Sequence, residues 1–241
     1  MPQEYFKGLT SEQKQNIALL IKRMRDKGLN NIYSQAGILS VISKESSFIP
    51  QWEKSYKNTN NADIRKVFGE RLTKYTEAEL SVLKKDDFAF FEAVYGCTTK
   101  VGQQNGNNLP GDGYKHRGAG YNQETFKNNH KVTGQDIGVD LENHPEKLNE
   151  IPVATDAVIA SYLRRFKKAP SERLSHYKTN GLNGFLDLTT AVKACYHANA
   201  GWGKDYAKLE NPDGTSINKG RTRALDRAPG FLEMVQKYPN I

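Results

Sequence analysis

The sequence predicts a mainly α-helical protein with a long irregular segment at its centre and little β-sheet. Apolar residues recur at helical spacing through most of the 241 residues, whereas the alternation that is typical of strands is scarce. Between residues 97 and 122 this periodicity disappears, and glycine, asparagine, proline and aspartate predominate. No internal repeat, linker or low-complexity tract is visible, so we expect a single domain over residues 1–241.

Helix-start and helix-stop signals place the first two helices. Gln13 follows Thr10 by three residues, which is the capping-box pattern, and Gly28 provides a stop after an apolar stripe. A second helix is expected from about Asn31 to Ser47, because Pro50 disfavours helix at the residue before it.

The same criteria predict six further helical segments, two before the irregular segment and four after it. The last of them contains Pro229, which is expected to interrupt it. Their sequences are TEAELSVLK, DDFAFFEAVYG, QETFKNNHKVTG, PVATDAVIASYLRRFKK, DLTTAVKACYHANAG and RTRALDRAPGFLEMVQKY.

The charge balance is basic, with 35 Lys and Arg against 27 Asp and Glu and a formal net charge of +8. Such an excess favours anionic partners, namely nucleic acid, acidic lipid or bacterial wall polymer, without choosing among them. The basic residues lie in short, scattered runs that fit solvated helix faces, so we expect no nucleic-acid partner. A nucleic-acid binder is the alternative that rests on charge alone.

Targeting signals are not visible in the sequence. No stretch approaches the roughly 18 apolar residues that a membrane-spanning helix needs, and the first residues lack the basic start and apolar core of a secretory signal. We therefore expect a soluble protein that is made in the cytoplasm, does not insert into a membrane, and needs another route if it is exported.

No motif predicts a metal or a cofactor. The five histidines are far apart, and no zinc, calcium or dinucleotide motif is complete. Cys97 and Cys195 are too few for a disulfide framework and lack metal-ligand spacing, so two free thiols are expected.

One acidic residue lies where helical spacing calls for a hydrophobic one. Ile38, Val41, Ile42 and Glu45 occupy positions i, i+3, i+4 and i+7 of the second helix. A carboxyl group that loses water in an apolar setting keeps its proton to higher pH, as a general acid requires. The spacing alone favours the alternative, in which Glu45 in the last turn leans out to water or pairs with an arginine.

A second acid, Glu53, follows eight residues later, beyond Pro50 and between Trp52 and Tyr56. Two acids with unlike surroundings are what a glycosidase uses as acid and base. With 27 acidic residues in the chain, such a pair also arises by chance.

The order of the segments resembles that of the family 19 glycoside hydrolases, which are the chitinases and related phage and bacterial endolysins. After the two acids come FFEAVYG, an Asn/Gly-rich loop, GDGYKHRGAGYNQETF at residues 111–126, and HANAGWG. The similarity extends from about residue 37 to residue 203. The central segment follows the family pattern G-D-G-x-x-Y-R-G-R-G-x-x-Q-L-T-G at Gly111, Asp112, Gly113, Arg117, Gly118, Gly120, Gln123 and Thr125.

The resemblance implies a lysozyme-like, two-lobed helical domain and an inverting hydrolase that needs no cofactor. It implies that Glu45 is the general acid and Glu53 the general base, with the carboxyl groups roughly 6.5–9.5 Å apart. Thr125 would help to hold the attacking water.

The resemblance also implies the residues that contact substrate. Gln123 matches a residue that contacts sugar in the cleft, and Asn199 matches one that hydrogen-bonds an N-acetyl group. Arg117 and Tyr121 are expected to line the same site. The alternative role of Thr125 is to cap a helix. Gln123 and Asn199 could instead bind loop carbonyls. The ring of Tyr121 could instead pack in the core.

Several positions depart from the family pattern. Ala119 stands where the family has Arg, Asn122 replaces an apolar residue, Glu124 replaces Leu and Phe126 replaces Gly. Lys44 precedes the predicted acid where chitinases often have His, although neighbouring helical residues point about 100° apart, so its ammonium can face water.

These observations predict a glycosidase that cleaves β-1,4-linked N-acetyl sugars, with bacterial peptidoglycan favoured over chitin because the surface is basic. The protein would then act at a bacterial cell wall after delivery by a holin, a phage tail or a secretion machine. Two alternatives are a chitinase with the same site and a catalytically silent wall-binding or structural component of a phage tail or injection apparatus.

Overall fold

A computed structural model describes residues 2–203 and 219–238, and these residues are mainly helical, as the sequence predicts. Their only strand-like pairing is an isolated bridge between Ala119 and Glu124. None of the helices within these residues is long and apolar enough to cross a membrane. The helices are α1 (Pro2–Lys7), α2 (Ser11–Asp26), α3 (Ile32–Glu45), α4 (Asn61–Phe68), α5 (Glu77–Leu83), α6 (Asp87–Tyr95), α7 (Lys100–Gln104), α8 (Asp112–Lys115), α9 (Lys127–Ile137), α10 (Ile151–Lys167), α11 (Ser171–His176), α12 (Leu188–Ala200) and α13 (Lys219–Lys237).

The chain divides into two compact units. We call residues 1–49 and 154–241 the terminal unit and residues 50–153 the central unit. The terminal unit contains α1, α2, α3, most of α10, and α11 to α13, whereas the central unit contains α4 to α9. Each unit carries one of the two predicted catalytic acids.

Helix α3 is the core helix of the terminal unit. It packs against both α12 and α13, and every residue from 34 to 43 is buried. The sequence predicts an apolar stripe, but the helix is enclosed on all sides, and Ser40 Oγ donates to the Ala36 carbonyl at 2.7 Å instead of reaching water. Gly37 permits close packing of α12, because a Cβ there would lie 3.2 Å from Cys195 Sγ.

The turn after α3 is fixed by the rest of the terminal unit. Ser47 and Phe48 have φ angles of 50° and 64°, a left-handed conformation that residues with a Cβ rarely adopt. The side chains of Gln13 and Asn16 donate to their two carbonyls, each at 2.9 Å. The Phe48 ring is fully buried against Phe231. These contacts hold the backbone at the end of α3, where the predicted acid lies.

Helix α13 runs through Pro229 without ending, so the predicted interruption is wrong. Proline removes a helical N–H, and packing against α1 offsets that loss. Gly230 leaves room for the Phe6 ring, which packs edge-to-face on Phe231 with the ring centroids 4.9 Å apart. Helix α1 itself is too short to give a periodic signal, and the sequence does not predict it.

The core of the central unit is built from α4, α5 and α6, and half of its buried residues are aromatic. Tyr56 from the loop before α4 packs edge-to-face on Phe68 and in a tilted arrangement on Phe90, each at 5.1 Å between centroids. This packing places the loop after Pro50 on a rigid base. The buried residues are Ile64, Phe68, Leu72, Leu80, Phe90, Phe91, Val94 and Tyr95.

The segment from residue 97 to 122 contains the two short helices α7 and α8, so it is less irregular than the sequence predicts. Helix α9 begins at Lys127, later than predicted. Gln123 and Phe126 have φ angles of 53° and 82°, which do not fit a right-handed helix and delay its start.

Candidate active site

Glu45 is the last residue of α3, and its side chain is 19% exposed. The Lys44 ammonium lies 2.9 Å from Glu45 Oε1, so it does not face water away from the acid. The same ammonium lies 5.8 Å from the centroid of the Tyr196 ring. Among the described residues, no group donates to Glu45 Oε2, and this oxygen is the one that remains for a proton or a ligand.

Asn199, near the C-terminal end of α12, lies beside this acid. Its Nδ2 is 3.5 Å from Glu45 Oε1, which is long for a hydrogen bond. Arg165 holds the end of α12 by donating to the carbonyls of Ala198 and Asn199 at 2.9 and 2.8 Å. Trp202 donates its indole N–H to the Arg165 carbonyl, so its polar group serves the same support.

Glu53 lies in the central unit and accepts hydrogen bonds from three groups. The Tyr56 hydroxyl donates to Oε1 at 3.0 Å, and the Tyr95 hydroxyl lies 3.2 and 3.1 Å from the two carboxylate oxygens. The Gly118 N–H donates to Oε2 at 3.2 Å, and the Glu53 N–H donates back to the Gly118 carbonyl at 2.7 Å. The carboxylate is therefore fixed on both its backbone and its side chain.

Burial raises the pKa of Glu53 above its ordinary value. The hydrogen bonds from Tyr56, Gly118 and Tyr95, and the charge of Arg117, oppose this rise because each favours the ionised carboxylate. For the two tyrosines the hydrogen bonds and burial act in the same direction: burial and the neighbouring Glu53 carboxylate both raise the pKa of the Tyr56 and Tyr95 hydroxyls. Glu53 is thus a hydrogen-bonded carboxylate of increased basicity.

Arg117 is held between two aromatic rings next to Glu53. Its guanidinium lies 4.1 Å from the centroid of the Trp52 ring and 4.0 Å from that of the Tyr114 ring. It also donates to the Tyr114 carbonyl at 2.7 Å. Burial lowers the pKa of Arg117, while the charge of Glu53 opposes that shift. Arg117 therefore supports the loop that carries Glu53, the predicted base. The predicted contact between Arg117 and substrate stays a prediction.

Gly118 brings Gln123 close to Glu53. A Cβ on Gly118 would lie 3.1 Å from Glu53 Oε2 and 3.2 Å from Gln123 Oε1, so this position requires glycine for the close approach. Gln123 Nε2 donates to the carbonyls of Gln51 and Gly120 at 2.8 and 3.2 Å. The Gln123 amide nitrogen thus binds loop carbonyls, which is the alternative role. Among the described residues, no group donates to Gln123 Oε1.

Thr125 precedes α9 and does not cap it. Its hydroxyl donates to the Gln123 carbonyl at 3.1 Å, and the N-cap of α9 is Phe126, which makes no side-chain cap bond. The hydroxyl oxygen retains the capacity to accept a hydrogen bond from water.

Tyr121 is fully buried, so the predicted contact between its ring and substrate is wrong for this structure. The two departures from the family pattern that flank it pair with each other: Ala119 and Glu124 exchange backbone hydrogen bonds at 3.0 and 2.9 Å. The Glu124 carboxylate accepts from Thr133 of α9 at 2.9 Å. The backbone bonds close a tight turn, and the Glu124 side chain binds this turn to α9.

Sequence reasoning missed two residues that build the site. Tyr95 is part of the apolar pattern of α6, and nothing in the sequence distinguishes its hydroxyl from that of a core tyrosine. Glu92 of the same helix accepts the backbone N–H groups of Gly111 and Tyr114 at 3.1 and 2.8 Å, which holds the start of the central motif. Its position in FFEAVYG, three residues before Tyr95, was the available signal.

Residues that bind metals are not clustered in the described part of the chain, where no group of three or more His, Cys, Asp or Glu side chains is placed to hold an ion. Cys97 is half-buried and Cys195 is buried, and both are free thiols. Burial raises the pKa of the Cys195 thiol well above its ordinary value, so it is a poor nucleophile.

Comparison with models of known protein families gives no match to this chain, and a search of curated proteins gives none either.

Proposed function

We propose that the protein is an inverting glycosidase that hydrolyses β-1,4-linked N-acetyl sugars, most favourably those of bacterial peptidoglycan. The observation that carries this proposal is the environment of Glu53, a buried carboxylate with increased basicity that three donors hold in place. The resemblance of the central motif to the family 19 glycoside hydrolases supports it.

In the proposed reaction, a water molecule gives a proton to Glu53 while its oxygen attacks the anomeric carbon. Glu45 protonates the leaving glycosidic oxygen as the bond from that oxygen to the anomeric carbon breaks. The proton gained by Glu53 returns to solvent, and Glu45 takes up another proton from solvent before the next cycle.

The surroundings of the acids suggest how each works. Glu45 Oε1 is occupied by Lys44, so Oε2 would carry the transferred proton. Asn199 and Gln123 Oε1 would hydrogen-bond the N-acetyl group and sugar, and the Thr125 hydroxyl would accept from the attacking water. Arg117 would contact substrate through its guanidinium N–H groups, and its contacts with the Trp52 and Tyr114 rings would hold it in position.

The test is hydrolysis of purified cell walls and, in parallel, of chitin oligomers. Glu45→Gln and Glu53→Gln should each keep the circular dichroism spectrum and lose about 10²- to 10⁴-fold in the release of reducing ends. The first product from a β-linked substrate should be the α-anomer, as observed by NMR during turnover.

Glu12→Gln, an exposed substitution in the first turn of α2, is the matched control and should hydrolyse walls like the wild type. Wall hydrolysis that survives both active-site substitutions would refute the mechanism. Faster hydrolysis of chitin oligomers than of walls would instead favour the chitinase.

The ion pair between Lys44 and Glu45 favours the second candidate function, a catalytically silent wall-binding component, because the ammonium occupies one oxygen of the proposed acid. Such a protein would bind walls and release no reducing ends. With either function, we propose that a holin, a phage tail or a secretion machine delivers the protein to the wall.

A further inference from the structure

The central unit contains a basic cavity that the proposed reaction does not use. Its volume is about 530 Å³, and it lies between α4, the turn before α5, and α7. Three cations line it, Arg71, Lys74 and Lys100, together with a single acid, Glu70. We call it the basic cavity.

The three cations are available to a ligand. Within the part of the chain that the structure describes, none of them has an acidic group within 4.0 Å, although Arg65 and Lys66 nearby are paired with acids. The lysines are exposed and Arg71 is half-buried. Three positive charges converge on a cavity that has one acid, Glu70, in its lining, so the net charge of the lining is positive and attracts an anion.

Arg71 is also oriented. Its guanidinium lies 5.9 Å from the centroid of the Phe68 ring and 5.6 Å from that of Tyr95. A guanidinium held over aromatic rings presents its N–H groups in a fixed plane, which matches the two oxygens of a carboxylate.

Tyr95 connects the basic cavity to the proposed base. Arg71 approaches its ring, and its hydroxyl hydrogen-bonds both oxygens of the Glu53 carboxylate. The charge of Arg71 is close enough to lower the pKa of that hydroxyl, against the larger effect of burial. A ligand in the cavity would therefore lie near the residue whose hydroxyl holds the proposed base.

We propose that the basic cavity binds a carboxylate of the peptide stem that peptidoglycan carries on its muramic acid residues. This inference rests on the proposed glycosidase function and identifies its substrate. Chitin is built from neutral sugars and has no group for three cations, so the cavity selects peptidoglycan. The three cations would also attract a phosphate, and a carboxylate is distinguished from it by the loss of binding when the stem is amidated.

The test uses the full chain with Glu53→Gln, so that binding is measured without hydrolysis. Isothermal titration calorimetry compares three probes of equal sugar number: a muropeptide with free stem carboxylates, the same muropeptide after amidation, and a chitin oligomer. The cavity variant is Arg71→Gln/Lys74→Gln/Lys100→Gln. Lys57→Gln/Lys85→Gln/Lys115→Gln is the control, because it removes the same charge from exposed positions elsewhere in the unit.

We expect the cavity variant to bind the free-carboxylate muropeptide at least about tenfold more weakly, with unchanged binding of the other two probes. The control variant should bind all three as the parent chain does. Equal losses in the cavity and control variants, or a loss that includes the chitin oligomer, would overturn the inference. Failure of wild-type chain to release reducing ends from walls would refute the proposed function, whatever the binding results.

Discussion

Of the two proposed catalytic acids, Glu53 is held by more hydrogen bonds than Glu45, and these bonds affect its pKa. Burial raises its pKa and the Tyr95 hydroxyl opposes that rise. Tyr95→Phe should therefore raise the pKa of Glu53 further and move the acidic limb of kcat/KM to higher pH, by about one pH unit. The measurement is the pH profile of wall hydrolysis for the variant and the wild type.

The matched control is Tyr75→Phe, which removes a hydroxyl from a half-buried tyrosine that packs against the same core. Its acidic limb should coincide with that of the wild type. If Tyr95→Phe lowers the rate equally at every pH, the hydroxyl only supports the fold, and the assignment of Glu53 as the titrating base fails.

At the residue scale, the sequence singles out two candidate acids but does not predict their neighbours. Glu45 is visible because it breaks an apolar spacing, and Glu53 because it follows in an aromatic loop. The pairing of Lys44 with Glu45 depends on side-chain rotation, and the Tyr95 hydroxyl reaches Glu53 across 42 residues. Local patterns contain neither kind of information.

A pair of buried histidines joins two elements of the central unit. His116, after α8, and His130, on α9, are fully buried with their Nδ1 atoms 3.0 Å apart. His130 Nε2 lies 2.9 Å from the Glu124 carbonyl and must donate to it, so His130 Nδ1 accepts and His116 Nδ1 donates. This assignment leaves His116 Nε2 as an acceptor without a hydrogen-bond partner in the described residues.

This pair predicts a loss of stability in acid. Burial, with the proximity of the two rings, lowers the pKa of His116 to about 3, and burial lowers that of His130 to about 4, from 6.5. The unfolded chain therefore binds more protons below pH 6.5, and the free energy of unfolding should fall as the pH drops from about 6.5 toward 4. Denaturant unfolding at several pH values measures this slope.

His144→Gln is the control for this prediction, because His144 is exposed and pairs only with Glu146 among the described residues. His116→Leu should reduce the slope by more than this control does. NMR titration gives a second measurement that does not depend on a folded variant: the imidazoles of His116 and His130 should remain neutral at pH 5. Protonation of all five near pH 6.5 would contradict the assignment.

At the element scale, capping signals were the most reliable guide. The capping box predicted at Thr10 is confirmed, the predicted segment TEAELSVLK begins with a second capping box at Thr76, and α3 begins and ends within two residues of its predicted bounds. The predicted start of α9 was wrong, because residues before it have positive φ angles. The predicted interruption of α13 at Pro229 was also wrong, and α13 packs against α1. Both depend on contacts that are distant in the sequence.

At the scale of the whole molecule, the net charge of +8 and the basic cavity act at different ranges. The overall charge attracts the protein to any anionic wall, and dissolved salt screens this attraction over roughly 10 Å at 0.1 M. A carboxylate bound in the cavity lies against Arg71 and is screened less. Salt should therefore weaken the approach to the wall more than the binding of a single muropeptide.

This difference gives the last prediction. Between about 0.05 and 0.5 M salt, the initial rate of wall hydrolysis at low wall concentration should fall about tenfold, because long-range attraction is lost. Hydrolysis of a soluble chitin oligomer should change little over the same range, because that substrate is neutral. The control variant Lys57→Gln/Lys85→Gln/Lys115→Gln, with its net charge reduced by three, should show a shallower salt dependence on walls. A salt dependence that is equally steep for the neutral oligomer would mean that salt acts on the fold or on the catalytic groups, and that the basic surface does not direct the protein to its substrate.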